Sequence, residues 1–442
     1  MKRYPKYKPF GNYWISEIPS HWNEQKIKHL FDERVEKGHP DEPLLAATQN
    51  QGVILKSDYE SRTVEATKDL HLLKFVKEGD FVISLRSFQG GIEYSYCQGI
   101  ISPAYTIMIP RPEIDSSYFR HLAKSRTFIE LLKGCVTGIR EGQNINYALL
   151  RTYLLPLPPI EEQKIIADYL DKKIEQIDRF ISLQKEAISL LKELRQAEIT
   201  KAVTKGLDEN AEMKDSGVEW IDEIPSEWDI KKITHIVDKT HPYAFGDGDH
   251  GIIKTEDYDN AGIPYIRVQN INWCSKLSLD NVVYISEELN KKIQKSTLRP
   301  NDVLFVKTGT IGKTGIIPEN IPIANTTSHV GKITVSKDNN AKYILYALSS
   351  SVTYKQFWDI ASQKTTRPEL SIDESKSIRL IIPNKIDIQT DIVTYLDKKC
   401  AEIDSAIQNK EALIEKVIEY KTRLISDAVT GKIDVRGEDI KP

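Results

Sequence analysis

The 442-residue sequence is poor in cysteine, and its four cysteines, Cys97, Cys135, Cys274 and Cys400, lie far apart with no CxxC pair. That spacing argues against a disulfide framework or a zinc site and suits a reducing compartment. No stretch approaches eighteen consecutive apolar residues, so no membrane span is expected. The opening MKRYPKYKPF is basic, but no apolar run follows it. It does not read as a secretory signal, so a cytoplasmic location is expected. An excess of positive charge is missing too: 61 Lys and Arg stand against 64 Asp and Glu, a net charge of −3. A simple nucleic-acid binder is usually basic. Such a role here therefore needs local positive charge, or a partner that neutralises most of the phosphates.

What the sequence does have is ordinary globular composition, 40% hydrophobic and 28% charged, and an internal repeat. Residues 13–22 read YWISEIPSHW and residues 219–228 read EWIDEIPSEW, at an offset of 206 (Trp220 minus Trp14). Residues 169–178 read YLDKKIEQID and residues 395–404 read YLDKKCAEID, at an offset of 226 (Tyr395 minus Tyr169). Ala202-Val203-Thr204 matches Ala428-Val429-Thr430 at the same 226. The difference, 226 − 206 = 20, lies between the markers, so the second copy's variable segment is longer by about twenty residues. The pattern is one frame holding two different inserts.

Residues 161–205 contain neither proline nor glycine. Ile174, Ile177, Ile181, Ile188 and Leu191 recur at alternating steps of three and four, with Gln184 in one slot, which predicts a heptad seam. The second copy repeats it with Cys400, Ile403, Ile407, Ile414 and Val417, and Lys410 at the slot of Gln184. Two polar residues at one seam position suit a role in fixing register. Gly206 and Gly431 terminate the two helices. Forty-five helical residues would measure roughly 68 Å. Antiparallel pairing within the chain is the expected arrangement, because a tandem copy that folds back brings its two helices together.

Residues 23–155 and 229–383 carry the strand-like runs. They are GDFVISLR (79–86), GGIEYSYC (90–97) and SPAYTIMIP (102–110) in copy one. Copy two has IPYIRVQNI (263–271), NDVLFVKT (301–308) and KITVS (332–336). All are short and bounded by Gly, Pro or Asn. Helical patterns follow over 117–134 and 341–360, so each segment is mixed α and β. The segments close on LLPLPP and LIIPN, where proline ends a strand and opens a long helix. Glu161 and Glu162 suit the first helix start.

Trp-Ile-x-Glu-Ile-Pro-Ser-x-Trp, a variable segment, and then LPLPPIEEQKIIADYLDKKIEQID, with this order present twice, resembles the specificity subunit of type I restriction–modification systems. The resemblance covers essentially the whole chain. It implies an α+β fold: two mixed α/β target-recognition domains separated by two long helices that pair as an antiparallel coiled coil, in a pseudo-two-fold tandem repeat. The implied divisions are target-recognition domain 1 over 1–159, long helix 1 over 160–206, target-recognition domain 2 with its leading linker over 207–384, long helix 2 over 385–434, and a tail over 435–442. It further implies a non-catalytic subunit. The implied partners are double-stranded DNA, two adenine methyltransferase subunits and restriction subunits. S-adenosylmethionine, ATP and Mg2+ would belong to the partner subunits and none to this chain. In one respect the pattern departs: PPIEEQ in copy one becomes NKIDIQ in copy two. Docking at the second helix is therefore expected to differ in detail, with the fold retained.

Base edges are read by Arg and Lys on guanine and by Asn and Gln on adenine, with Ser and Thr less selective. In copy one these types cluster at Arg86, Ser87, Phe88, Gln89 and Gly90, in a turn between two strands. Copy two has Lys307, Thr308, Thr310 and Lys313 in the equivalent place, because Asp80 and Asp302 align ahead of it. A second loop carries Arg140, Gln143 and Asn144 in copy one, against Thr365, Thr366 and Arg367 in copy two. Thr48, Gln49 and Asn50, and Gln269 and Asn270, follow matching strands, and Thr327 and Ser328 lie in a further polar stretch. The bland alternative for each is a solvated hairpin.

GTIGKTG (309–315) imitates a phosphate loop, but the position five before its second glycine is Lys307, so the pattern fails. No Asn/Asp-Pro-Pro-Tyr/Phe tetrapeptide of an amino-methyltransferase occurs. Glu419-Tyr420-Lys421 reads as a solvated helix face. Trp14, Trp22, Trp220 and Trp228 sit at repeat-constant positions and are expected to pack rather than to stack on bases. Two rivals stand beside the DNA reader. One is a coiled-coil scaffold without sequence-specific DNA binding, and the other is a self-sufficient enzyme.

Overall fold

A computed structural model describes residues 2–59, 69–137, 144–218, 221–273, 277–363 and 368–438. It divides into two compact units, Met1–Lys185 with Glu411–Pro442, and Glu186–Lys410.

The first unit is built on a four-stranded antiparallel sheet in the order Phe31–Arg34, Thr106–Pro110, Phe81–Ile83, Glu93–Tyr94. Both faces are covered. Phe81 and Met108 enter the main core against helices, while Val82 and Ile107 enter a second cluster with Leu45, Val53, Val76 and Ile101. A strand buried on both faces needs an unbroken apolar run rather than alternation, which is why FVI has no polar interruption. The second unit repeats the sheet with Phe245–Asp247, Val330–Ile333, Val303–Val306 and Thr314–Ile316. Its Val303 and Phe305 face the main core, and its Leu304 and Val306 face the second cluster.

Each expected amphipathic helix is in fact two. Ser116–Lys124 and Arg126–Gly134 meet at Ser125, and Ala341–Ser349 and Ser351–Ala361 meet at Ser350. Both serines have extended backbone, and their side chains accept the N–H groups of Phe128 and Thr353. A hydroxyl that caps the next helix start ends the preceding one.

The long helices run Ile160–Lys205 and Ile386–Val429. In the second unit Arg195 pairs with Asp404 at 3.0 Å, and the Tyr395 hydroxyl donates to Glu198 at 2.9 Å. One index rises while the other falls, so the helices are antiparallel there. In the first unit Lys421 pairs with Asp178 at 2.6 Å. The seam is as expected. Ile414 is buried in the first unit, with Ile174, Ile177, Ile181 and Val417 half-buried. Ile188, Cys400, Ile403 and Ile407 are buried in the second.

The repeated residues form the same clasp in each unit. Gln163 accepts from the Asp115 N–H at 2.7 Å and donates to the Pro158 carbonyl; Gln389 accepts from the Asn340 N–H at 2.8 Å and donates to the Pro383 carbonyl. Tyr118 donates to the Val429 carbonyl at 2.8 Å, and Tyr343 donates to the carbonyls of Val203 and Ile381. Asp171 takes Arg120 and His121, while Asp397 takes Lys342 and Tyr346. Gly431 and Gly206 end the helices in the left-handed region. A Cβ on Gly431 would stand 3.0 Å from Trp22, and one on Gly206 would stand 3.2 Å from Trp228. The two tryptophans are therefore packing residues, as Trp14 also is; Trp220 lies outside the described residues.

Most of the length difference is local. Trp22 and Trp228 are 206 apart and Asp80 and Asp302 are 222 apart, so 222 − 206 = 16 of the extra residues fall between these points. In the second unit that stretch supplies the Glu287–Lys292 helix and the strands Ile263–Ile266 and Val283–Ile285 of a three-stranded sheet.

Candidate nucleic-acid interface

In the first unit the hairpin of Leu45–Thr48 and Gly52–Leu55 exposes Gln49 and Asn50 at its tip. Thr48 is buried and closes the turn, accepting from the Gln51 N–H and donating to the Gly52 carbonyl. After the strand Phe81–Ile83 the chain makes one helical turn, Ser87–Gly90. Ser87 is buried beneath it and accepts from the Ser84 N–H at 2.8 Å. Arg86 and Gln89 are exposed, and Phe88 is half-buried. A Cβ on Gly91 would lie 2.2 Å from the Ala123 carbonyl oxygen, so only glycine lets this turn sit against the end of the Ser116–Lys124 helix.

The two loops meet. A Cβ on Gly90 would fall 2.9 Å from Gln49 Cγ. Lys124 Nζ donates to the Gln49 carbonyl at 3.0 Å, to the Gly90 carbonyl at 2.9 Å and to the Glu93 carboxylate at 2.6 Å. Burial pushes Glu93 up to about 7, with Lys124 pulling it down. The Asn144–Ile145 strand packs beside the same helical turn, and Asn144 is exposed. Thr48–Asn50, Arg86–Gly90 and Asn144 thus form one surface. Arg140 and Gln143 lie outside the described residues.

In the second unit Lys307 is 5% exposed at its side chain and pairs with Asp247 at 3.1 Å. Thr308 is buried and donates to Glu369. Thr310 is exposed and Lys313 half-buried. The Lys307 N–H donates to the His329 carbonyl, which sets Thr327 and Ser328, both half-buried, beside this loop. Gln269 is exposed, whereas Asn270 is buried, accepting from the Arg267 N–H and donating to the Ser278 carbonyl. Thr365, Thr366 and Arg367 lie outside the described residues.

Sequence reasoning missed two features. Lys124 carries no motif and gains meaning only from its three acceptors. Trp273 is 57% exposed, stands against Tyr354 and has Lys313 Nζ 5.8 Å from its ring centroid. An aromatic face that carries a cation and opens to solvent is suited to bases and phosphates.

Residues 225–416 match the model of the type I restriction modification DNA specificity domain. The EcoBI type I restriction enzyme specificity subunit of Escherichia coli is 27% identical over 70% of this chain and 65% of its own length. The MjaVIII specificity subunit of Methanocaldococcus jannaschii is 24% identical over 86% of this chain and 88% of its own. Over these spans the chain is similar to the specificity subunits of type I restriction–modification systems. Its fold agrees with that of a chain solved in work on complex assembly of a type I system, with a TM-score of 0.70 and 15% identity over 94% of this chain and 99% of that one. The HsdS subunit of Thermoanaerobacter tengcongensis gives a TM-score of 0.54 and 14% identity over 96% and 100%. The matched span covers the second variable segment and part of the second long helix, and the repeat carries the same frame into the first copy.

Proposed function

We propose that the chain is such a specificity subunit and reads a bipartite, asymmetric duplex DNA site, one half by the domain of residues 1–159 and the other by that of residues 207–384. The observation that carries this reading is the convergence of Gln49, Asn50, Arg86 and Gln89 from two separate loops onto one exposed surface. Those residue types match the donor and acceptor pattern of adenine and guanine edges in the major groove. The second domain offers a different set, Gln269, Thr310 and Lys313 beside Trp273. Different sets read different sequences, hence the asymmetric site.

Docking of two adenine methyltransferase subunits, and of restriction subunits beyond them, follows on the long helices. Phe180, Leu183 and Ile418 in the first unit and Leu190 and Leu194 in the second are exposed apolar residues on those helices. Exposed apolar side chains on these helices are available to protein partners. S-adenosylmethionine, ATP and Mg2+ belong to those partners, in the cytoplasm, and the target base is flipped into the partner's pocket. No described helix is long and apolar enough to cross a membrane. If both domains approach one face of the duplex, the half-sites lie ~34–36 Å apart.

The test is a gel shift of the chain with its methyltransferase subunits on duplexes drawn from methylome sequencing of an expressing host. Binding that depends on both half-sites is expected. Sequence-independent binding, or none, leaves the coiled-coil scaffold instead.

A further inference from the structure

Lys124 ends the Ser116–Lys124 helix, beside the surface assigned to the first half-site. An ammonium has three N–H donors and no acceptor. Its three acceptors here are the Gln49 carbonyl, the Gly90 carbonyl and the Glu93 carboxylate, so each donor has a partner. Two of these acceptors belong to separate loops and lie 41 residues apart in sequence, since 90 − 49 = 41. The third is on the strand that leaves the second loop and is only 2% exposed at its side chain. The second unit joins the corresponding strand and helix differently: Thr314 Oγ1 and Ser349 Oγ share a neutral hydrogen bond at 2.7 Å. Ser349 stands where Lys124 does, one residue ahead of the capping serine, Ser350 against Ser125.

We propose that Lys124 is a positioning residue for the first half-site, its ammonium locking the Thr48–Asn50 and Arg86–Gly90 loops into the one arrangement that reads DNA. The proposal rests on the DNA-reading role of those loops. A tetrahedral ammonium bonded to two carbonyls and a carboxylate fixes loop separation through its own hydrogen bonds. A planar guanidinium cannot meet the same three acceptors. The lock in the first domain contains the titratable pair Lys124 and Glu93, so the first half-site is the one expected to respond to pH near 7. Among the elements packed on the Glu93 strand, Phe81–Ile83 and Gly52–Leu55 carry no titratable side chain. The helix supplies Tyr118, whose hydroxyl bonds backbone, Arg120 and His121, both paired with Asp171, and Lys124.

The experiment uses the full chain assembled with its methyltransferase subunits, on its own site and on duplexes altered in one half-site. The readout is the ratio of affinities, cognate over altered, for each half separately. Lys124→Met combined with Glu93→Gln leaves no orphaned buried charge. It is expected to cut discrimination at the first half-site about tenfold, the scale of one good base contact, and to leave the second unchanged. Lys124→Arg should not restore it. In the unaltered protein, first-half discrimination should fall as pH drops through about 7, where Glu93 takes up its proton, while second-half discrimination stays level. Glu93→Gln alone should flatten that profile. Unchanged first-half discrimination in the double variant, or equal losses at both halves, overturns the proposal. Arg86→Ala and Gln89→Ala separate the two levels. If they also leave first-half discrimination intact, the loops do not read DNA and the underlying reading fails. If they reduce it while the double variant does not, only the role of Lys124 fails.

Discussion

The Trp22 indole N–H donates to the Glu162 carboxylate at 3.0 Å, joining the first repeat marker to the start of the first long helix. Glu162 also accepts from the Tyr4 hydroxyl at 2.7 Å and bonds His21 Nε2 at 2.8 Å. In the second copy the residue at the helix start is Ile388 (388 − 162 = 226), and Gly206, Trp228, Ile388 and Ile392 line an open pocket. The lost glutamate of PPIEEQ is thus the hub of a polar cluster in one unit and part of an apolar wall in the other.

Glu162→Ala should strip the buried Tyr4 and Trp22 donors, and the exposed His21 ring, of their acceptor. Hydrogen bonds to a charged group contribute about 1.5–3 kcal/mol each, and they are not additive. A loss of about 2–4 kcal/mol in the first unit is expected, read by tryptophan fluorescence in urea. Unchanged stability would mean that the cluster is replaced by water at no cost.

Tyr118→Phe and Tyr343→Phe remove equivalent hydroxyls from the two clasps. Each leaves a buried carbonyl short of a donor, so each should cost about 1–2 kcal/mol. The two losses should be similar in size, one in each unit. Hydrogen exchange at the helix ends near Val429 and Val203 is the measurement, with faster exchange expected in the matching variant only.

Glu93 gives the first unit a pH dependence of stability. Burial raises its folded-state value to about 7, above its value in the unfolded chain. The folded state therefore holds the proton more tightly. The stability it contributes is fully present below the unfolded value and is lost as pH rises through about 7. Each tenfold difference in proton affinity between the folded and unfolded chains is worth about 1.4 kcal/mol, so the loss is at most a few kcal/mol. Glu93→Gln should flatten the stability profile and raise stability at pH 8, measured by denaturation at pH 5 and pH 8. A steeper profile in the variant would contradict this.

Arg86→Ala should weaken discrimination at one base step of the first half-site by about 1–3 kcal/mol, and Lys313→Ala should act on the second half-site alone. Methylome sequencing of cells carrying each variant reads both. If Arg86 instead contacts phosphate, binding should weaken uniformly across sequences and the salt dependence should become shallower by about one.

Much of the frame was legible. The seam from Ile174 to Leu191 and its second copy follow from period alone, because helix pairing demands apolar residues every 3.5 positions. The runs FVI and VLFV announce strands, though not that both their faces are buried. The break at Ser125 went unread, because a serine inside an amphipathic pattern caps a helix only if the backbone there is extended. Among the proposed readers, residue type did not separate Thr48, Ser87, Asn270, Lys307 and Thr308, which are buried and bonded within their domains, from exposed Gln49, Arg86, Gln89 and Gln269.

By itself the sequence determined the tandem frame, the two long helices and the inequality of the two inserts, because repeats and periodicity are properties of residue order. Only the tertiary structure decided that the loop ending at Asn50 and the one ending at Gly90 share a surface, that Lys124 ties them together, and that Glu162 gathers Tyr4, His21 and Trp22 at the first helix start while Ile388 lines a pocket with Trp228 at the second. Those relations depend on which side chains distant segments present to one another, and neither period nor residue type encodes that.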